Sequence, residues 1–178
     1  MTGNLMHATR TPAVAVLCLL AALTGQVALA QEASLPGVYV DDGQSGGVIE
    51  KAIETAVAKM NFIKRPIARS RLKKTNSHYG RIEIARGASE FSVRFDAGKP
   101  VLMPLDGRSV KWTRDDGEQF DVSAKLQGDT LVQTFAAEDG QRTNAFSLGA
   151  DGKLLLQVTL TSPQLPEPVR YQLSYRRQ

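Results

Sequence analysis

From His78 to the C-terminus, apolar and polar residues alternate with a period of two, and short glycine-bearing turns interrupt the alternation. A period of two puts successive side chains on opposite faces of an extended chain, so each run reads as a half-buried strand. Ile82 and Ile84 form one such run, and Phe91, Val93 and Phe95 another. Phe120, Val122, Ala124 and Leu126 repeat the pattern, as do Leu154, Leu156, Val158 and Leu160, and then Val169, Tyr171, Leu173 and Tyr175. Shorter candidates lie at 101–105, 110–113, 130–137 and 143–148. Asp106-Gly107, Asp116-Gly117, Asp139-Gly140 and Asp151-Gly152 fall between runs, where glycine tolerates the positive φ that tight hairpins require. Strands joined by hairpins form an antiparallel meander with one apolar face, and closing such a sheet hides its edges. The expected fold is therefore mainly β: an antiparallel barrel or partial barrel of eight or nine strands, preceded by one amphipathic helix.

That helix lies upstream, where the period changes. Val48, Ile49, Ala52, Ile53, Ala56, Val57 and Met60 recur at helical spacing with charged residues between them. Ser45 is the expected N-cap, and Pro66 is expected to stop or kink the helix nearby. Residues 31–44 read as loop, with Val38 and Tyr39 in too short a run to assign, and 67–77 as an irregular basic connector with room for a short helical turn. Further upstream, Arg10 leads into an uncharged apolar stretch ending in Ala28-Leu29-Ala30, the pattern of a secretory signal peptide cleaved after Ala30. The rival reading, an uncleaved anchor, is weakened by a stretch barely long enough to span a bilayer and by its Gly25-Gln26 interruption. The expected organisation is a cleaved signal over 1–30, a loop, helix and basic connector over 31–77, and the β meander over 78–178. The location this implies is periplasmic or secreted.

Cleavage removes 30 of 178 residues and leaves 148, enough for one domain with a substantial core. It also removes Cys18, the only cysteine, so no disulfide can supply stability. One of 22 basic and none of 18 acidic residues leave with the signal; 21 against 18 gives +3, too mild to imply nucleic acid. Catalytic chemistry finds little to work with. Gly43-Gln44-Ser45-Gly46-Gly47 resembles the nucleophile stretch of chymotrypsin-like proteases, but Gln44 stands where that family has Asp. His78 is the only histidine after the signal, and no carboxylate lies near it in sequence to orient it. One histidine and no cysteine leave carboxylates to do nearly all the ligation of a zinc or copper ion, and the acidic run Asp115 to Asp121 lacks EF-hand spacing. The reading is a non-enzyme with no cofactor, no metal and no catalytic residues.

Two surfaces remain. Phe91, Phe95, Trp112, Phe120, Phe135, Leu156, Tyr171 and Tyr175 are the candidates for the barrel interior. A closed barrel of about eight strands is either filled by such side chains or holds one small ligand. Outside the barrel, residues 59–81 carry eight bases and no acid. Within that segment Lys64, Arg65, Arg69, Arg71, Lys73 and Lys74 form a candidate patch for anionic lipid or another envelope partner. The expected function is binding of a small apolar or amphipathic molecule in the barrel. The alternative is an envelope structural or interaction module with a filled core, meeting its partner through the basic segment.

The one-sided meander from His78 to Arg176 resembles the calycin group, meaning lipocalins and fatty-acid-binding proteins, and small secreted bacterial proteins with lipocalin-like barrels. The resemblance implies a barrel that binds lipid-like molecules. Two features depart from it. His78-Tyr79-Gly80-Arg81-Ile82 lacks the Trp of the lipocalin Gly-x-Trp motif. In addition, fatty-acid-binding proteins insert a helical pair after their first strand, whereas here one helix is expected before the first strand.

Overall fold

A computed structural model describes residues 34–178, so the expected signal peptide and its cleavage point lie outside the described residues. Among the described residues the first element is a strand, β1 (Gly37–Asp41). Two helices follow, α1 (Val48–Ala58) and α2 (Arg65–Thr75). Nine strands complete the chain: β2 (Arg81–Arg86), β3 (Glu90–Phe95), β4 (Val101–Pro104), β5 (Val110–Thr113), β6 (Gln119–Gln127), β7 (Thr130–Ala137), β8 (Gly140–Leu148), β9 (Leu154–Thr161) and β10 (Val169–Arg177).

The ten strands form one antiparallel sheet in the order β4-β3-β2-β1-β10-β9-β8-β7-β6-β5. Its two ends approach each other, since β4 returns to lie against β5 and β6 without a hydrogen-bonded ladder. The result is a nearly closed barrel with a seam between β4 and β5. The antiparallel β fold stands as expected, with ten strands in place of eight or nine.

The extra strand explains the difference in count. Gly37 to Asp41 is too short and too mixed to read as a strand alone, yet β1 pairs with β2 on one side and β10 on the other. It therefore joins the first and last parts of the meander. Because β1 comes first, the two helices are an insertion after the first strand, the order given above for fatty-acid-binding proteins, in place of the single helix expected before the first strand.

Pro66 begins a helix instead of ending one. It sits in the first turn of α2, where its missing N–H has no helical partner to lose. Arg65-Pro66-Ile67-Ala68-Arg69-Ser70-Arg71-Leu72-Lys73-Lys74-Thr75 is rich in strong helix formers. It has only a narrow apolar stripe, Ala68 and Leu72, so its periodicity is faint. The expected cap on α1 also differs. Gly47 is the N-cap, with φ 72°, and the buried Ser45 hydroxyl has no hydrogen-bond partner among the described residues.

The core is the barrel interior together with the inner face of α1, where Ile49, Ile53, Ala56 and Val57 are buried. Both helices belong to the connection from the end of β1 to the start of β2, and α1 packs against β10. The ends of β3, β5, β7 and β9 face the same way, so the helices cap the end that holds the β5–β6 and β7–β8 turns. At that end Asp96 adopts φ 49°, a left-handed conformation rare for a side-chain-bearing residue. Its carboxylate accepts from the Gly80 and Arg81 amides, both at 2.9 Å, which fixes the start of β2.

Candidate functional site

The eight interior candidates all sit on inward-facing positions of their strands, at 91 and 95 in β3, 112 in β5, 120 in β6, 135 in β7, 156 in β9, and 171 and 175 in β10. They do not converge on a single spot. Trp112, Phe120 and Phe135 form one cluster at the helix-bearing end, with ring centroids 5.6–6.0 Å apart. Phe135 is buried, whereas Trp112 and Phe120 are half-buried. Register explains the grouping: Trp112 pairs with Phe120, and Val122, one inward position along, pairs with Phe135. Edge-to-face packing of this kind adds a directional preference to simple burial. The Arg114 guanidinium lies 5.3 Å from the Phe120 ring and is held by Asp116 and Glu118 of the β5–β6 turn. Arg114 holds the Asp116 carboxyl down at about 2.

Phe95 belongs to a second group, 4.4 Å from Tyr79 and 6.3 Å from Phe146. Phe91 lies four residues away at the other end of β3, under Arg86. Leu156 is in the middle, opposite Phe146 on β8 and Leu173 on β10. The Phe95–Phe146 approach joins β3 to β8, and a 3.3 Å contact from Gln133 Nε2 to Met103 Sδ joins β7 to β4. Side chains from opposite walls thus meet across the interior. Two clefts, of about 310 and 330 Å³, lie elsewhere, beside the β4–β5 connection and beside the β7–β8 turn.

The interior also contains polar residues that were not singled out from sequence. The Arg142 Nε donates to Asn144 Oδ1 at 2.9 Å, Asn144 Nδ2 donates to Gln133 Oε1 at 2.9 Å, and Gln133 in turn reaches Met103. Asn76, just beyond α2, connects this chain to the helices. Its Oδ1 accepts from the Tyr171 hydroxyl at 3.0 Å and from Arg142 Nη1 at 3.4 Å, and its Nδ2 donates to the Leu72 carbonyl. Burial raises the Tyr171 hydroxyl above its ordinary pKa, with Arg142 opposing that shift. A signal for these residues did exist: Gln133 shares a face with Leu131 and Phe135, and Asn144 shares one with Phe146. A polar residue in register on an apolar face is an anomaly that period-two reading can detect.

Tyr175 differs from Tyr171. It is fully buried, its hydroxyl has no hydrogen-bond partner among the described residues, and its ring stacks on His78 at 6.3 Å. Burial first, and then the Asp41 charge, push the Tyr175 hydroxyl well up from the usual tyrosine value. His78 Nε2 lies 3.2 Å from Asp41 Oδ1, so the fold supplies a carboxylate that the local sequence does not.

The six basic candidates divide between the two sides of α2. Arg65 donates through Nη2 to the Ala58 and Met60 carbonyls at 2.7 and 3.0 Å, closing the end of α1. Arg69 grips Glu54 through two 2.7 Å bonds. These two residues fasten the helices together and do not form part of an outward patch. Lys73 lies 4.0 Å from Glu54 and Arg71 lies 3.9 Å from Asp139. Lys64 and Lys74 are exposed and form no ion pair among the described residues.

No protein-family model matches the sequence, and no curated protein matches it. Solved structures do. A REP1-NXSQ fatty acid transporter aligns with TM-score 0.52 and 15% identity, covering 81% of this chain and 96% of that one. A zebrafish ileal bile acid-binding protein complexed with cholic acid aligns with TM-score 0.52 and 12% identity, covering 80% of this chain and 98% of that one. The fold is a calycin-like barrel. At these identities the likeness concerns the path of the chain, and nearly the whole length of each neighbour is reproduced.

Proposed function

We propose that this protein binds a small apolar or amphipathic molecule within its barrel, without catalysing a reaction on it, and that it does so outside the cytoplasm. The observation that carries the reading is the Trp112–Phe120–Phe135 cluster on the inner wall, in which Trp112 and Phe120 are only half-buried, at the helix-bearing end and close to the unzipped seam. Aromatic surface left partly open at the mouth of an apolar barrel is where such a molecule gains the most by leaving water. The neighbours' names, a fatty acid transporter and a bile acid-binding protein, point to the same ligand class. The signal-like leader supports the location. Because the inner walls touch, binding requires the side chains between Phe95 and Phe146 to part, and the seam between β4 and β5 lets the sheet widen without breaking a ladder.

Trp112 is the only tryptophan, so its emission reports on the cluster directly. Titration with a long-chain fatty acid and with cholic acid should give a saturable emission change and a stoichiometric adduct by native mass spectrometry. Phe135→Leu should weaken binding, whereas Lys73→Ala should not. Saturation with neither ligand class, and no adduct in protein taken directly from the expressing cell, would refute the reading. That result would favour the second reading, a filled-core interaction module, which the contacts across the barrel support.

A further inference from the structure

Among the described residues, the most exposed large apolar side chains lie together. Phe62, Ile63 and Ile67, on the turn between the helices and the first turn of α2, are 76%, 66% and 65% exposed. The other large apolar residues exposed among the described residues, Leu102 and Leu126, are single positions on β4 and β6. The inner side of α2 is already occupied: Ala68 and Leu72 pack on the core and Arg69 holds Glu54. Ile63 and Ile67, four residues apart, therefore lie on the outer side, and the same row continues through Arg71 to Lys74. Folding leaves the apolar part of this stripe unused, while Arg71 meets Asp139 of the β7–β8 turn.

Charge indicates what the tip meets. Segment 59–81 carries eight bases and no acid. Glu54, Asp139 and Glu167 reach it from outside and are engaged by Arg69, Arg71 and Lys59 respectively, while Asp41 and Asp96 meet His78 and the Gly80 and Arg81 amides at its far end. The segment keeps a positive excess, with Lys64 beside the apolar tip and Lys74 at the far end of the stripe. A protein partner would need a groove shaped to these three side chains. A lipid interface accepts any projecting apolar tip, and its phosphates provide a continuous negative surface for flanking lysines, whose stems lie along the acyl boundary.

We propose that the turn between α1 and α2 docks on an anionic lipid bilayer, with Phe62, Ile63 and Ile67 inserted at the headgroup boundary and Lys64 and Lys74 against the phosphates. Among the described residues no helix is long and apolar enough to cross a membrane, so this contact lies on the surface. It does not depend on whether the barrel takes a ligand. The test is co-sedimentation of the protein, as isolated from the expressing cell, with phosphatidylglycerol–phosphatidylcholine vesicles and with phosphatidylcholine vesicles. Parent and variants are matched beforehand by intact mass. Phe62→Ser with Ile63→Ser should weaken binding to the anionic vesicles about tenfold or more. Lys64→Gln with Lys74→Gln should weaken it by a similar factor, and raised salt should reproduce that loss. Phe62→Trp, at a position the fold does not use, should give a blue-shifted emission component on anionic vesicles that the parent lacks. Parent-like binding by the serine variant, equal binding to both vesicle types, or no blue shift from Phe62→Trp would each overturn the proposal.

Discussion

The chain has four tyrosines, and three of them test the interior geometry through the same chemical change, removal of one hydroxyl. Tyr39 donates to the Leu35 carbonyl at 2.7 Å, and Tyr171 donates to Asn76 Oδ1 at 3.0 Å. Tyr175 donates to nothing among the described residues. A net hydrogen bond is worth about 1 kcal/mol, and a buried polar group left unpaired costs about 1–3 kcal/mol. Tyr39→Phe should therefore destabilise the protein by about 1 kcal/mol. Tyr171→Phe should cost about 1–2 kcal/mol, because it leaves buried Asn76 Oδ1 with only the longer 3.4 Å contact from Arg142. Tyr175→Phe removes an unpaired hydroxyl and leaves the ring on His78, so it should be neutral or stabilise by about 1 kcal/mol. Urea unfolding at constant m-value measures the order, and a domain of this size shifts its Tm by about 2–4 °C per kcal/mol. A loss of 1 kcal/mol or more for Tyr175→Phe would refute the reasoning, since the hydroxyl would then be bonded in solution.

Alkaline titration extends the same argument. Burial raises the hydroxyls of Tyr39, Tyr171 and Tyr175, so their contribution to stability is present below the unfolded value near 10 and lost as pH rises through the folded values. Phenolate absorbance should accordingly lag behind a free-tyrosine curve until the protein unfolds, and a curve matching free tyrosine would contradict the burial. Asp42 behaves in the opposite sense. The Gln44 amide, then Ser174 and Lys153, hold its carboxyl below the ordinary range, so its contribution is present above about pH 4 and lost in acid. Asp42→Asn should cost about 1 kcal/mol at neutral pH, and the difference from the parent should shrink as acid is added; a constant difference would show that the charge is irrelevant. Ile53→Ala, in the buried face of α1, should cost about 2–5 kcal/mol in denaturant unfolding. Asn76→Ala should speed amide exchange in α2 before it affects the β10 ladder, because Asn76 clasps the end of that helix to Tyr171 and Arg142.

What could be read along the chain was local. Alternation placed Phe91, Phe95, Trp112, Phe120, Phe135, Leu156, Tyr171 and Tyr175 on inward faces, because the period of a strand is a property of the strand alone. Asp-Gly turns likewise set the antiparallel order at Asp116-Gly117, Asp139-Gly140 and Asp151-Gly152, since a short turn brings the next strand alongside. Asp106-Gly107 instead falls at the seam, where β4 and β5 form no ladder. The first strand and second helix were not legible for opposite reasons. β1 has little strand signal and exists because β2 and β10 each offer it a ladder across long sequence separations. α2 has helix propensity but little apolar period, and it is secured by Arg69 on Glu54 and Arg65 on the α1 carbonyls.

By itself, then, the sequence determined the β class, the inward apolar face and the positive excess of segment 59–81. Tertiary structure alone decided that β1 unites the meander, that Arg65 and Arg69 turn into the helix pair, and that Asn76, Arg142, Asn144 and Gln133 form one buried chain. Periodicity fixes which face a residue occupies. Which other residue it meets depends on strand register and barrel closure, which are set by the summed fit of contacts far apart in the chain.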